Sequence, residues 1–269
     1  MEWLPTVNWS EHSASRHLFA SAAALCLLLQ CIAIAPAEGG TLSIVSQSRW
    51  VDVGRVLDGD TFISRKGEHI RLLGINTPEI QHDASPAQPM GNKATQALRR
   101  MIGGESVRLD FDKQHKDKYG RTLAQVYLRD GRWVNGEMVR LGMAHVYTFT
   151  PNLHWAGQLT RLEGTARRQG LGIWKTRRFA MLESDDVGST HLGQFRVIYG
   201  TVKRVGKKGY GFSMPGIRVS VPRKYRTWFK QLPVAANGSD VVVRGVVRSA
   251  SSGLYVALHS PFDIEKISP

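Results

Sequence analysis

The chain has 269 residues, room for two compact domains, with 42% hydrophobic and 22% charged residues. Such usage excludes a largely disordered, collagen-like or many-spanning membrane protein. Thirty-six Lys and Arg against twenty-two Asp and Glu give a formal net charge of +14, a field that draws polyanions, nucleic acid first and anionic lipid surfaces after it.

At the N-terminus, residues 18–35 form an uncharged apolar run with Arg16 before it and Ala35-Pro36-Ala37, a small-x-small cleavage form, at its end. The expectation is a signal peptide over residues 1–37 and a secreted or periplasmic mature protein. Left uncleaved, the same run is just long enough for a membrane anchor, and it is the chain's one route to a membrane. Cys26 and Cys31 both fall inside it, so the chain from Glu38 on holds no thiol for a disulfide or a metal.

Residues 50–75 alternate apolar and polar side chains in three short runs broken by Asp58-Gly59 and Lys66-Gly67, as a meander of strands does. Helical spacing recurs over 91–102 and 154–169, with strands expected over 106–111 and 121–128 and a short helix over 134–141. Strands with helices gathered at one end make a β-barrel with helical additions. Residues 183–192 carry acids and small polar residues without an apolar period, and are expected as an acidic linker between a domain at 38–182 and a second at 193–269.

Beyond that stretch come expected strands at 195–205, 210–214 and 217–221, a helix at 223–232 with Trp228, Phe229 and Leu232 on one face, and strands at 240–247 and 254–258. Three strands, a helix and two strands is the order of a five-stranded OB barrel. From Gly193 on, thirteen Lys and Arg face only three Asp and Glu, interleaved with Tyr210, Phe212, Tyr225 and Trp228. A nucleic-acid-binding domain that keeps substrate near the first domain is the expectation.

Three stretches carry the chemistry: Asp58-Gly59-Asp60-Thr61, then Arg71 through Glu79 (RLLGINTPE), then Lys118-Tyr119-Gly120-Arg121. Singly, each has an ordinary structural reading. Asp-Gly is a hairpin turn, Thr77-Pro78-Glu79 is a helix start with Thr77 as N-cap, and Tyr-Gly-Arg is an exposed turn. Together they supply an acidic pair, two arginines, a glutamate and an oxygen-rich turn. Phosphodiester hydrolysis uses such parts: oxygen donors hold a hard cation, planar guanidiniums clamp the charge that develops on phosphate, and a carboxylate orients or deprotonates water. The chain contains no H-x-x-x-H or H-E-x-x-H zinc pairing and no G-x-x-x-x-G-K-[ST] loop, which excludes the common zinc hydrolase and P-loop arrangements.

With DGDT at 58–61, RLLGINTPE at 71–79, KYGR at 118–121 and GLGIW at 170–174, the stretch from about residue 51 to 174 resembles the staphylococcal nuclease (thermonuclease) family. The resemblance implies a mainly β (α+β) fold, an OB-type five-stranded barrel with three helices, here followed by a second OB-like barrel. It also implies Ca2+-dependent hydrolysis of DNA and RNA with little sequence specificity, leaving 3′-phosphate ends, and it implies no obligate protein partner beyond the DNA and RNA substrates. In that pattern Asp60 is a carboxylate ligand of calcium, Asn76 stands where the best-known member has a second aspartate, and Thr77 offers its backbone carbonyl. Arg71 and Arg121 grip the scissile phosphate, and Glu79 positions or activates water. Lys118 and Tyr119 lie near the terminal phosphate of a bound nucleotide, with Tyr147 and Phe149 against its base. The alternative is a catalytically inactive nucleic-acid-binding protein of the same fold.

Overall fold

The computed structural model describes residues 47–81 and 87–267. The expected signal peptide over 1–37 lies outside the described residues, and among these no helix is long and apolar enough to cross a membrane.

Strands β1 (Ser48–Val56), β2 (Thr61–Ser64) and β3 (His69–Leu72) form the expected meander, turning at Asp58-Gly59 and Lys66-Gly67. A short β4 (Ile75–Asn76) precedes α1 (Gly91–Ile102), whose Ala94, Ala97, Leu98 and Ile102 make one buried face. Then come β5 (Ser106–Asp110), β6 (Thr122–Tyr127), α2 (Val134–Arg140), β7 (His145–Val146) and α3 (Ala156–Arg168). The barrel closes in the order β1-β2-β3-β6-β5, with β3 parallel to β6 and β5 returning to β1. Phe62, Ile70, Leu98, Val107, Leu109 and Val126 fill its core, so the OB-type barrel with three helices is the fold observed.

The Thr77-Pro78-Glu79 helix start does not form. After β4, paired with β7, residues 77–81 run without regular structure, and the next helix among the described residues begins at Gly91. The Thr77 hydroxyl and amide are bound to Asp60, so the side chain that would cap a helix is engaged elsewhere.

The second region is one eight-stranded sheet. Its strands are β8 (Leu182–Glu183), β9 (Phe195–Thr201), β10 (Arg204–Val205), β11 (Gly211–Met214), β12 (Ile217–Ser220), β13 (Asp240–Ala250), β14 (Gly253–Ala257) and β15 (Ile264–Lys266). The path runs β10-β11-β12-β14-β13-β9-β8, with β12 parallel to β14. Strands β9 and β10 are consecutive; Val202 N–H reaches the Ser239 carbonyl on one side and Lys203 N–H the Ser213 carbonyl on the other. The chain itself thereby joins β10, at one end of the path, to β9, next to the other end, in an OB-like order.

Of residues 183–192, expected as an acidic linker, Glu183 lies in β8, Ser184 is buried and Val187 enters the second core, while Asp185, Asp186, Ser189, Thr190 and Leu192 are exposed. The helix expected over 223–232 is a six-residue 3-10 turn, Arg223–Trp228, with Phe229 buried and Leu232 exposed. Tyr, Thr and Trp are weak helix formers, and the segment is short between Val221, tied to the Tyr210 carbonyl, and buried Phe229.

The barrels share a seam of apolar and ion-paired side chains. Ala166, Ile173, Trp174 and Phe179 of the first pack with Val197 and Val242 of the second. Arg244, 1% exposed, binds Glu163 of α3 and Glu265 of β15, and Arg167 reaches Glu265 at 2.6 Å. The His145 ring stacks on Phe195 at 4.2 Å.

Candidate active site

The turn between β1 and β2 brings two carboxylates together. Asp58 accepts the Asp60 N–H at 2.9 Å, while Asp60, almost fully buried, accepts the Thr77 N–H at 2.8 Å and the Thr77 hydroxyl at 3.1 Å. Gly59 permits this, because a Cβ there would stand 2.7 Å from both the Thr77 Oγ1 and the Ala94 Cβ. Burial, then the nearby Asp60 charge, push the Asp58 carboxyl up to about 6.

Arg71, on β3 between Thr61 and Leu123, turns its guanidinium into the same corner. It meets Asp60 at 3.0 Å, donates to the Asn76 Oδ1 at 2.8 Å and to the Leu72 carbonyl at 3.0 Å. Asn76 in turn donates through Nδ2 to the Thr77 carbonyl at 3.2 Å. Carboxylate, amide and carbonyl oxygens within one hydrogen-bonded corner form a donor set suited to a hard cation. Among the described residues no group of three or more His, Cys, Asp or Glu surrounds a metal position; the set here holds two acids and neutral oxygens.

A third element is the loop before β6. Asp117 accepts the Tyr119 N–H at 2.9 Å, the Arg121 N–H at 3.0 Å and the Arg121 Nε at 2.8 Å, so one carboxylate shapes the KYGR turn and aims its arginine. Burial raises the Asp117 pKa, but these bonds with Arg121 and Tyr119 outweigh it and leave the carboxyl below the ordinary value. Lys118 and Arg121 both lie over the exposed Tyr119 ring, at 4.8 and 5.6 Å. Glu79 is exposed, with its backbone clasped by Gln88, whose N–H reaches the Glu79 carbonyl at 2.9 Å.

These pieces line one cleft of about 710 Å³. Asp60, Arg71, Asn76, Glu79, Lys118, Tyr119, Arg121, Tyr147 and Phe149 all face it, while Thr77 sits behind with its backbone on Asp60 and Asn76. The Tyr147 and Phe149 rings meet edge to face at 6.3 Å.

A family model described as "Staphylococcal nuclease homologue" matches residues 69–176. The thermonuclease of Staphylococcus intermedius is 36% identical over 126 residues, covering 46% of this chain and 74% of that protein. The chain belongs to the staphylococcal nuclease family. The thermonuclease of Staphylococcus hyicus is 35% identical over 123 residues, 45% of this chain and 72% of that one. Endonuclease YncB of Bacillus subtilis is 34% identical over 144 residues, 51% and 68% respectively. The staphylococcal nuclease match ends at residue 176, so the second barrel from β9 onward lies outside it.

The cleft of this staphylococcal nuclease homologue also holds residues the motifs left out. Asp117 is legible in retrospect as an Asp placed two and four residues before the amides it binds. Lys224, Tyr225 and His259 come from the second barrel and enter the cleft only through tertiary packing.

Proposed function

We propose that the protein is a metal-dependent nuclease that hydrolyses phosphodiester bonds of DNA and RNA with little sequence preference and leaves 3′-phosphate ends. One observation carries the reading: Arg71, Arg121 and Glu79 line a single cleft whose inner corner holds Asp58, Asp60 and Asn76, with Thr77 bonded to Asp60 behind it. Asp60, Asn76 and the Thr77 carbonyl would hold a cation at that corner, Ca2+ by resemblance, which when bound would supply Lewis-acid stabilisation of a phosphate oxygen.

The chain's own groups do the rest. Arg121, aimed by Asp117, and Arg71 donate to the phosphate oxygens on which charge accumulates, and a permanently charged planar fork suits both. Glu79, exposed at the cleft, orients a water for attack on phosphorus and takes its proton. The bond from phosphorus to the 5′-oxygen breaks, the leaving oxygen takes a proton, and the phosphate stays on the 3′-side. Tyr147 and Phe149 face the base, and aromatic stacking tolerates every base.

The basic second barrel is proposed as a nucleic-acid-binding domain. The strand register sets Arg204, Ser213, Arg218, Tyr255 and Arg248 in one row across β10, β11, β12, β14 and β13, a phosphate-binding face with an aromatic residue in it. Export by the N-terminal apolar segment, with anchoring if it stays uncleaved, completes the reading.

Release of acid-soluble fragments from single-stranded DNA, measured with calcium and with chelator, tests the activity. Glu79→Ala and Arg121→Ala are each expected to lower kcat by roughly 10²–10³ while leaving the fold intact. A binding-only reading has one observation in its favour, the Arg71 guanidinium already set between Asp60 and Asn76. DNA binding without calcium-dependent release would establish that reading instead.

A further inference from the structure

Beyond Tyr147 and Phe149 the cleft wall is continued by Lys224, Tyr225 and His259 of the second barrel. The Tyr225 and His259 rings lie 4.7 Å apart and tilted by 38°, and the Lys224 ammonium stands 4.7 Å from the Tyr225 ring centre. Part of Tyr225 packs on the second barrel's core, so the ring is braced from behind while it lines the cleft.

This wall is registered to the first barrel by buried polar contacts. The His259 and Ser260 amides donate to Asp263 at 2.6 and 2.9 Å. Thr148, the residue between Tyr147 and Phe149, reaches the Ser260 hydroxyl at 2.8 Å and Asp263 at 3.3 Å. Tyr225 is fixed from its own side by its N–H on the Pro222 carbonyl at 2.9 Å. Two aromatic groups from one barrel and two from the other are thus held around one volume before any ligand arrives. Burial, with Lys224 and Arg248 nearby, holds the His259 imidazole below its usual pKa, so it presents a neutral ring.

We propose that Lys224, Tyr225 and His259 form a nucleotide subsite for a single-stranded segment, one unpaired base stacking on the Tyr225–His259 pair and its phosphate meeting Lys224. The proposal rests on the cleft being a nuclease site and adds what its substrate must be: a strand long enough to cross from the first barrel's aromatics to the second's. Stacking accepts any base, so the subsite selects length and strandedness without selecting sequence. Duplex bases stay inside the helix and cannot use it.

The test uses the whole protein and the variants Tyr225→Ala, Tyr225→Phe and Lys224→Ala. Fluorescence anisotropy of labelled octathymidylate in chelator reads binding without cleavage, and kinetics on a dinucleotide and an octanucleotide read the subsites. Tyr225→Ala is expected to weaken octathymidylate binding about tenfold and to raise KM for the octanucleotide equally, with kcat and the dinucleotide unaffected. Tyr225→Phe keeps the ring and stays near wild type. Lys224→Ala lowers the salt dependence of binding by about 0.7 in log–log slope, one phosphate contact on a single strand. Unchanged octathymidylate binding in Tyr225→Ala, or equal losses on the two substrates, would overturn the subsite. A protein that binds octathymidylate without cleaving anything overturns the nuclease reading alone, since the anisotropy series still decides the subsite.

Discussion

The two barrels follow the same strand order, with the third strand parallel to the fifth in each, and they differ in what that order carries. In the first, the turn after the opening strand is Asp58-Gly59-Asp60; in the second, the turn between β10 and β11 holds Lys207 and Lys208. Strand β3 is buried from Ile70 to Leu72, so Arg71 meets Asp60 largely shielded at the inner end of the cleft, whereas β12 alternates and leaves Arg218 outside. The three acids from Gly193 on are all spoken for: Asp240 binds Thr201 at 2.6 Å, Asp263 sits in the Ser260 cluster, and Glu265 binds Arg244 and Arg167. On the function proposed above, one topology serves hydrolysis in the first barrel and binding in the second, according to the charges on its turns and the cover over its third strand.

That contrast holds only if the barrels act as one body, and Arg244 is where it breaks most easily. Arg244→Met leaves Glu163, fully buried, without its closest cation, and removal of one partner of a buried pair costs about 3–5 kcal/mol. Urea unfolding is expected to show that loss in the transition of the whole protein. Glu163→Gln in the same background should recover most of it, because the amide oxygen can still accept the Val146 N–H that Glu163 binds at 2.6 Å. A loss confined to a separate second transition would show that the barrels unfold independently.

The seam also explains where sequence reasoning reached and where it stopped. Helix α1 and the β1–β3 meander are written in local periodicity and turn chemistry, and the expected bounds 91–102 are those observed. The motif residues converge because each acts within a short segment: Asp60 across a turn, Arg71 on the next hairpin strand, Arg121 on an Asp four residues back. Glu163 offers no such cue. It lies on α3 beside Leu159 on the buried face, and its reason is an arginine 81 residues away. Strand β15 and the 3-10 turn at Arg223–Trp228 depend likewise on what they pack against, and so does the entry of Lys224, Tyr225 and His259 into the cleft. The basic cluster at 223–230 was visible in composition, but nothing local says which face it joins.

A smaller effect on the same seam comes from His145. Burial, opposed in part by Glu163, lowers its pKa to about 4, while unfolding returns it to about 6.5. The folded state therefore keeps the ring neutral, and its contribution is complete above pH 6.5 and lost as pH falls toward 4. Over that window the loss is about 3 kcal/mol at roughly 1.4 kcal/mol per unit. His145→Phe, which retains a ring against Phe195, should flatten the decline in urea midpoints between pH 7 and pH 4.5. Parallel declines in wild type and variant would place the acid sensitivity elsewhere.

The smallest change sharpens the difference between the barrels at its chemical root. Asn76 gives the corner an amide oxygen where a carboxylate would add a charge, and its Oδ1 is held by Arg71 at 2.8 Å. Asn76→Asp adds negative charge beside Asp60, and hard-cation affinity rises with ligand charge. Part of that charge is met by Arg71, already bonded to this position, so the gain is smaller than a free carboxylate would give. Calcium titration by calorimetry is expected to show a dissociation constant lower on the order of tenfold, about 1.4 kcal/mol, with a matching fall in the calcium needed for half-maximal cleavage. The two readouts separate the possible failures. Tighter binding without a lower requirement for cleavage would mean that Arg71, drawn to the new carboxylate, no longer reaches the phosphate. No change in either would mean that Asn76 is not a ligand and only holds Arg71 in place.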